Sequence, residues 1–372
     1  MATKTAYNYV RGDDEEIQSI PNCQPLQIWM LARHGTRYPT QHEIRKLKNI
    51  PLIKDQIIYN HEIKNGKNNL SMNHTSKNYI FRSTNRSRTI DSMDAFIEGL
   101  FENKFDVETV VPTGEDTLLK PYSYCPRWNE AIETDPIYFT EYKKFINSKE
   151  FINTINNVNE RLGYQSNLPS SKLSIDPLLA MYNLCRYEKS WMLDKISPWC
   201  GVFSKDDLKV LEFYNDLEYY YKFNHDKKIN DLIGCFPLQD MFNNFRSLEE
   251  NDNNEKPKGI FYFTHSKLIL SFLSTIDVTP NQKPLTADHY KEHLNREWNT
   301  SMLSPFNSNI IAVFFRCKKQ ESPNKVMFYL QEKPLLYEGC QNGLCDWEYL
   351  KEKFSAVANE CSIDACHIEE NY

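Results

Sequence analysis

An apolar run of strand length, Leu26-Gln27-Ile28-Trp29-Met30-Leu31-Ala32, stops abruptly at Arg33-His34-Gly35, and a helical spacing resumes beyond Thr36-Arg37-Tyr38-Pro39-Thr40. In an open α/β sheet, ligands bind in the crevice outside the carboxyl ends of the strands. A strand that ends in charged residues and a glycine therefore sets both the fold class and the place to look for chemistry. Gly35 allows the backbone to approach a ligand closely. Arg33 and Arg37 bracket His34 with donors suited to a planar or tetrahedral anion. A histidine held between two guanidiniums is an expensive arrangement unless an anion normally sits there, and phosphate is the natural candidate.

The rest of the chain is read around that strand. Residues 1–22 are polar and read as an extended arm tied down near Cys23. Residues 41–50 have helical spacing through Ile44 and Leu47, and residues 60–78, rich in Asn and Lys, read as a surface loop. A short strand over 79–84 ends in a polar turn, followed by an amphipathic helix over 85–101 through Ile90, Met93, Phe96, Ile97 and Leu100. From 105 to 250 the pattern changes to irregular helices without convincing strands, for example over 143–162 and 205–223. This segment reads as an α-helical cap inserted into the α/β domain formed by residues 1–104 and 251–372. The run Tyr219-Tyr220-Tyr221 suits helix packing better than a ligand cleft. Residues 249–257 read as a solvated linker. Buried-strand sequence returns at 259–264, leading into His265 and a helix over 267–273. Two more strands follow at 309–316 and 325–331, then a short helix over 347–354 and a cysteine-bearing tail.

The length of 372 residues is sufficient for a full hydrophobic core. A net charge of -6 provides no bulk positive field, which excludes a general nucleic-acid binder and leaves any anion steering to a local patch. No run approaches membrane-spanning length, so no membrane partner is expected, and the chain is expected to act as a monomer. The ten cysteines lack metal-ligand spacing, and an even count of this size suits disulfides. Cys340/Cys345 and Cys361/Cys366 are each spaced to close a small loop. Sequons begin at Asn69, Asn73, Asn85 and Asn299. Together these features suggest a secreted protein, and the absence of an apolar leader after Met1 suggests its mature form.

Phosphoryl transfer requires an in-line nucleophile, positive donors for the equatorial oxygens and a proton for the leaving group. His34 suits the first role. Arg33, Arg37 and Arg82 suit the second, with His265 as a further donor at the end of another strand. The Arg-His-Gly-x-Arg-x-Pro motif at 33–39 resembles the signature of the histidine acid phosphatases. Several stretches sharpen the resemblance to their multiple inositol polyphosphate phosphatase branch: Arg82-Ser83-Thr84, Ala95-Phe96-Ile97-Glu98-Gly99-Leu100, Ser197-Pro198-Trp199-Cys200 and Leu238-Gln239-Asp240-Met241-Phe242. The resemblance implies a phosphoglycerate-mutase-like sheet flanked by helices, with an inserted α-helical cap and a phosphate site between the two. It also implies a phosphohistidine at His34, no metal or other cofactor, and phosphate esters of inositol as substrates.

One departure stands out. The family's second histidine is followed by an acid, as His-Asp or His-Ala-Glu, whereas this chain has His265-Ser266-Lys267. Loss of a general acid typically removes ~10²–10⁴-fold in rate for a poor leaving group. Two readings follow. One is a secreted binder with little turnover, similar to the acid-phosphatase-like proteins of flea saliva, a resemblance that implies biogenic amines or cysteinyl leukotrienes as ligands. The other is an active phosphomonoesterase with an unusual acid. The missing acid tilts the balance toward the binder.

Overall fold

A computed structural model describes residues 2–11, 20–39, 79–101, 107–134, 136–163, 173–195, 197–225, 227–250, 256–278, 283–318 and 321–367. The helix expected over 41–50, the loop expected over 60–78 and most of the expected linker lie outside the described residues.

The centre is one mixed sheet. Its strands are β1 (Cys23–Arg33), β2 (Tyr79–Ser83), β3 (Thr109–Val110), β4 (Gly259–Thr264), β5 (Asn309–Cys317), β6 (Asn324–Leu330), β7 (Lys333–Pro334) and β8 (Leu344–Asp346). They are ordered β3-β2-β4-β1-β5-β6-β7, with β8 also paired to β6. The first four in that order are mutually parallel; β5 onward is antiparallel. The strands expected from apolar runs are all present. β3 was not expected, because two residues are too few to produce a periodic pattern.

Both faces of the parallel half are apolar, as a sheet covered on each side requires. Trp29, Leu31, Ile260 and Tyr262 enter the main core, while Met30, Ala32, Phe81, Phe261 and Phe263 pack with Met93 and Ile97 of helix α1 (Ser87–Leu100). The segment read as a cap holds α2 (Pro126–Thr134), α3 (Pro136–Ile146), α4 (Lys149–Arg161), α5 (Ile175–Trp191) and α6 (Lys205–Tyr220). The single helix expected over 143–162 divides between α3 and α4. There Ser148 accepts a hydrogen bond from the Phe151 amide at 3.2 Å and starts a new helix. α6 opens with a capping box between Ser204 and Asp207 and passes into a π-helical turn, Tyr221–His225.

At the end of the same segment, α7 (Lys227–Glu250) lies on the sheet. The Trp29 indole and the Tyr262 hydroxyl donate to opposite oxygens of its Asp240, at 2.9 and 3.2 Å. α7 packs so closely on α8 (Ser266–Thr275) that a Cβ at Gly234 would stand 2.8 Å from the Ser271 carbonyl oxygen. α9 (Thr300–Leu303) and α10 (Trp347–Asn359) complete the helices. The tyrosine run divides. Tyr220 packs edge-on against Trp298 and Tyr221 donates to the Leu285 carbonyl, whereas Tyr219 faces a cleft between the N-terminal turn, α5 and α6.

All ten cysteines are paired, as Cys23–Cys317, Cys125–Cys366, Cys185–Cys200, Cys235–Cys361 and Cys340–Cys345. The expected Cys340/Cys345 loop is present. Cys361 and Cys366 instead reach across to α7 and to the start of α2. They pin the C-terminal segment to these two helices by closing loops of 126 and 241 residues. Long closed loops constrain the unfolded chain most.

The N-terminal residues are not the extended polar arm that their composition suggested. Ala2–Lys4 and Tyr7–Tyr9 form 3-10 turns, and Ala2, Thr3, Thr5, Ala6 and Val10 are buried. Their backbone groups explain the burial. The Thr3 carbonyl accepts from Arg33, the Ala2 amide donates to Glu212, and the Thr5 carbonyl accepts from the Phe306 amide.

Candidate active site

The carboxyl ends of β1, β4 and β2 are held together by backbone bonds beyond the regular ladder. The His34 amide donates to the Thr264 carbonyl at 3.0 Å and the Thr84 amide to the Phe263 carbonyl at 3.1 Å. Arg33, His34, Thr84 and His265 thereby meet at one edge although they come from three distant segments. On the far side of β1 the Asn307 amide donates to the His34 carbonyl at 3.1 Å. Asn307 also explains Gly35, since a Cβ there would lie 2.9 Å from the Asn307 side-chain oxygen.

The imidazole of His34 is buried, and its Nδ1 lies 2.8 Å from the Gly35 carbonyl oxygen. A carbonyl only accepts, so Nδ1 carries the proton and Nε2 keeps its lone pair. Burial and then the Arg33 cation hold the ring far below the ordinary histidine value, so it is neutral. The His265 ring lies 5.4 Å away, centroid to centroid. A guanidinium only donates, so the Arg88 NH2 donates to His265 Nδ1 at 3.2 Å, and the His265 proton sits on Nε2, 3.1 Å from the Thr84 hydroxyl. That hydroxyl in turn meets Thr89, which is backed by the Thr84 and Arg86 carbonyls. Burial, then Arg88 and Arg33, push His265 down to about 3.

Around the two neutral rings stands a group of cations. Arg33 is buried; its NH1 donates to the Thr3 and Ser304 carbonyls at 2.5 and 2.7 Å, and its Nε has no partner among the described residues. Arg88 is lowered by burial and then by Arg37; Lys120 is lowered by burial and then by Arg86 and Arg88. Such mutual repulsion is tolerated where an anion is to be received. The Arg37 guanidinium sits over the Tyr187 ring at 5.5 Å, and Trp191 donates to the Arg37 carbonyl at 3.1 Å, so α5 walls the site. Arg33, Arg37, Arg88, Asp91 and Asn307 help line a cleft of about 1280 Å³, with His34 and His265 buried beside it. Among the described residues no group of three or more His, Cys, Asp or Glu side chains is placed to hold a metal. The arrangement places an unprotonated imidazole nitrogen among a group of cations.

The family model for the histidine phosphatase superfamily (branch 2) matches residues 58–331. The chain belongs to that superfamily. It is 29% identical to multiple inositol polyphosphate phosphatase 1 of Drosophila melanogaster, over 98% of this chain and 87% of that one. Identity to the human protein of the same name is 25%, over 91% and 80%. Among solved structures, the phytase from D. castellii superposes with a TM-score of 0.73 at 17% identity, covering 96% of this chain and 86% of that one. The Bifidobacterium longum multiple inositol polyphosphate phosphatase in complex with inositol hexasulfate gives 0.69 at 11%, covering 96% and 97%. At such identities the likeness speaks for the fold, a central sheet flanked by helices in the manner of histidine phosphatases.

Of the residues singled out in the sequence of this histidine phosphatase, Arg33, His34, Arg37 and His265 come together and Arg82 does not. Arg82 is in register with Tyr262 on the sheet face opposite α1, and pairs there with Asp116 at 2.6 Å. Arg88 takes the place expected of it. The signal was available. Residues 82–88 hold three arginines, and the first turn of a helix that follows a strand points at the strand's carboxyl end, where a strand residue's side chain turns to a face. His265 also differs from its expected part as a phosphate donor: in this arrangement its proton is committed to Thr84 and it orients Arg88. Ser266 starts α8. The Lys267 ammonium lies over Trp128 and Tyr122, 5.2 and 5.5 Å from their ring centroids, and burial lowers its pKa.

Proposed function

We propose that this protein is a phosphomonoesterase that works through a phosphohistidine at His34 and favours esters with good leaving groups. The observation that carries the reading is the hydrogen bond from His34 Nδ1 to the Gly35 carbonyl, which leaves Nε2 unprotonated beside Arg33 and Arg88. Nε2 attacks phosphorus, the phosphorus–oxygen ester bond breaks, and the alkoxide departs with a proton. Water then cleaves the phosphorus–nitrogen bond and releases phosphate. The guanidiniums stabilise charge on the equatorial oxygens. Relatives named as multiple inositol polyphosphate phosphatases support inositol phosphates as the natural substrate class.

Proton delivery is the weak part of the site. Ser266 and Lys267 stand where an acid is expected, and Lys267 is turned onto aromatic rings. Of the acids on the cleft, Glu332 accepts from the Tyr7 hydroxyl at 2.9 Å, which leaves Asp91, one helical turn beyond Arg88, as the candidate donor. A second reading, a binder that keeps the clamp without turnover, draws on the same Ser266 and Lys267. In it the guanidiniums hold a ligand carboxylate, as of a leukotriene; a biogenic amine would need the acids Asp176 and Glu218 of the cap cleft. The five disulfides suit an oxidising compartment, and we take the protein to be a secreted monomer.

The test is phosphate release from inositol hexakisphosphate and from p-nitrophenyl phosphate, against His34→Ala. Cleavage of the activated ester, abolished by the substitution, supports the enzyme with impaired proton delivery. Equal rates per phosphate on both esters would place a competent acid in the site. Release no faster than with His34→Ala would leave the binder.

A further inference from the structure

A second cleft, of about 510 Å³, lies within the cap and is lined by residues of the N-terminal turn, α5 and α6. At its wall Arg186 is 3% exposed. Its guanidinium stacks on the Tyr182 ring at 4.3 Å. Its NH1 donates to the Asn215 side-chain oxygen at 3.0 Å and its NH2 to that of Asn183. Both partners are neutral amides, and the Arg186 Nε has no hydrogen-bond partner among the described residues. The carboxylates buried nearby are committed elsewhere, Asp216 to Arg296 and Thr300 and Glu212 to the Ala2 amide. A buried charge without a counter-charge is strongly unfavourable unless something completes it. Beside it the Tyr182 hydroxyl, on a residue 1% exposed that lines the same cleft, has no partner among the described residues either.

Lys4 adds a second cation to the cleft, its ammonium 5.0 Å from the Tyr187 ring centroid; of the two acids on the lining, Glu218 is paired with Lys222 at 2.7 Å and Asp176 is exposed. Tyr187 and the Thr3–Lys4 backbone separate this cleft from the His34 clamp. The Arg37 guanidinium lies against the same Tyr187 ring, and the Thr3 carbonyl is the one that Arg33 holds. We propose that the cap cleft is a second oxyanion site, distinct from the catalytic clamp, in which Arg186 and the Tyr182 hydroxyl donate to a phosphate or carboxylate group. Two donors on a planar fork suit either chemistry. The proposal does not rest on turnover at His34.

The test is calorimetric titration of the full chain with inorganic phosphate and, separately, with malonate. The wild type should take up two phosphates. Arg88→Gln should lose one and Arg186→Gln the other, with Arg186→Gln retaining hydrolysis of p-nitrophenyl phosphate. Tyr182→Phe guards against misfolding, because removing a buried hydroxyl without a partner leaves stability unchanged or higher in anion-free buffer. It should still weaken the Arg186-dependent site by about 5- to 10-fold. Tighter binding of phosphate or of malonate there identifies the source of the group. Unchanged stoichiometry and affinity in both Arg186→Gln and Tyr182→Phe would overturn the proposal.

Discussion

The two buried neutral histidines make a quantitative claim about acid. His265 titrates at about 3 in the folded protein, against an ordinary value of 6.5. The folded state therefore binds fewer protons than the unfolded chain throughout the interval between them. The stability associated with the group is fully present above pH ~6.5, falls as pH drops, and is completely lost near pH ~3. With a limiting slope of about 1.36 kcal/mol per pH unit, and the unfolded imidazole half protonated at the start, going from about pH 6.5 to about pH 4.5 costs about 2.3 kcal/mol from His265 alone. Carboxylates titrate lower, so the upper part of the window belongs mainly to the imidazoles. The perturbation is His265→Asn, which keeps an oxygen near the Nδ1 position to accept from Arg88 and carries no titrating proton. Urea unfolding followed by tryptophan fluorescence, with disulfides intact, should show the variant losing about 2–3 kcal/mol less than wild type over that interval. Saturating phosphate should flatten the wild-type curve, since a bound anion raises the folded-state value of the ring. Parallel curves for the two proteins would refute the assignment of His265 as a buried, neutral acceptor for Arg88.

The paired arginines give a sharper comparison. Arg88→Gln should lower kcat/KM on p-nitrophenyl phosphate by roughly 10²-fold or more, whereas Arg82→Gln should change it less than about tenfold while lowering the melting temperature through the orphaned Asp116. Asp91→Asn should slow alkyl phosphates by roughly 10²-fold and leave the nitrophenyl ester nearly unchanged; equal effects on both would remove it as a proton donor. Lys267→Glu should raise turnover of alkyl phosphates by about 10-fold or more, measured by phosphate release across acidic to neutral pH.

Much of the fold was legible because its strands carry their own signature. Runs such as 26–32 and 259–264 are apolar on both faces, which suits a parallel strand covered on both sides. The site was legible in part for a related reason: Arg33, His34 and His265 lie at the ends of those runs. Arg88 escapes strand-end reasoning because the side chain that reaches His265 comes from the next helical turn. Nor did composition reveal the buried N-terminal turns. Their burial is decided by Arg33 and Glu212, 30 and 210 residues along the chain from the backbone groups they hold, which no hydrophobic pattern records. The pairing of Cys361 with Cys235 and of Cys366 with Cys125 was hidden in the same way, by contacts that only the folded chain brings together.

Anion capture and proton delivery stand on different elements here, and this decides what the change at positions 266 and 267 can do. The clamp is built from the end of β1 and the first turn of α1, held by backbone bonds to Thr264, Thr3 and Ser304 that do not involve the side chains of Ser266 or Lys267. Replacing an acid at the start of α8 therefore leaves the cations and the nucleophile where they were. It removes one negative charge from a site already dominated by Arg33, Arg88 and Lys120, which favours a bound phosphate in the ground state. The same change withholds a proton from the departing oxygen. Binding and leaving-group protonation are thus pushed in opposite directions, so tight phosphate binding with turnover confined to activated esters is the expected behaviour. An enzyme with a displaced acid and an inert binder depart from it on opposite sides.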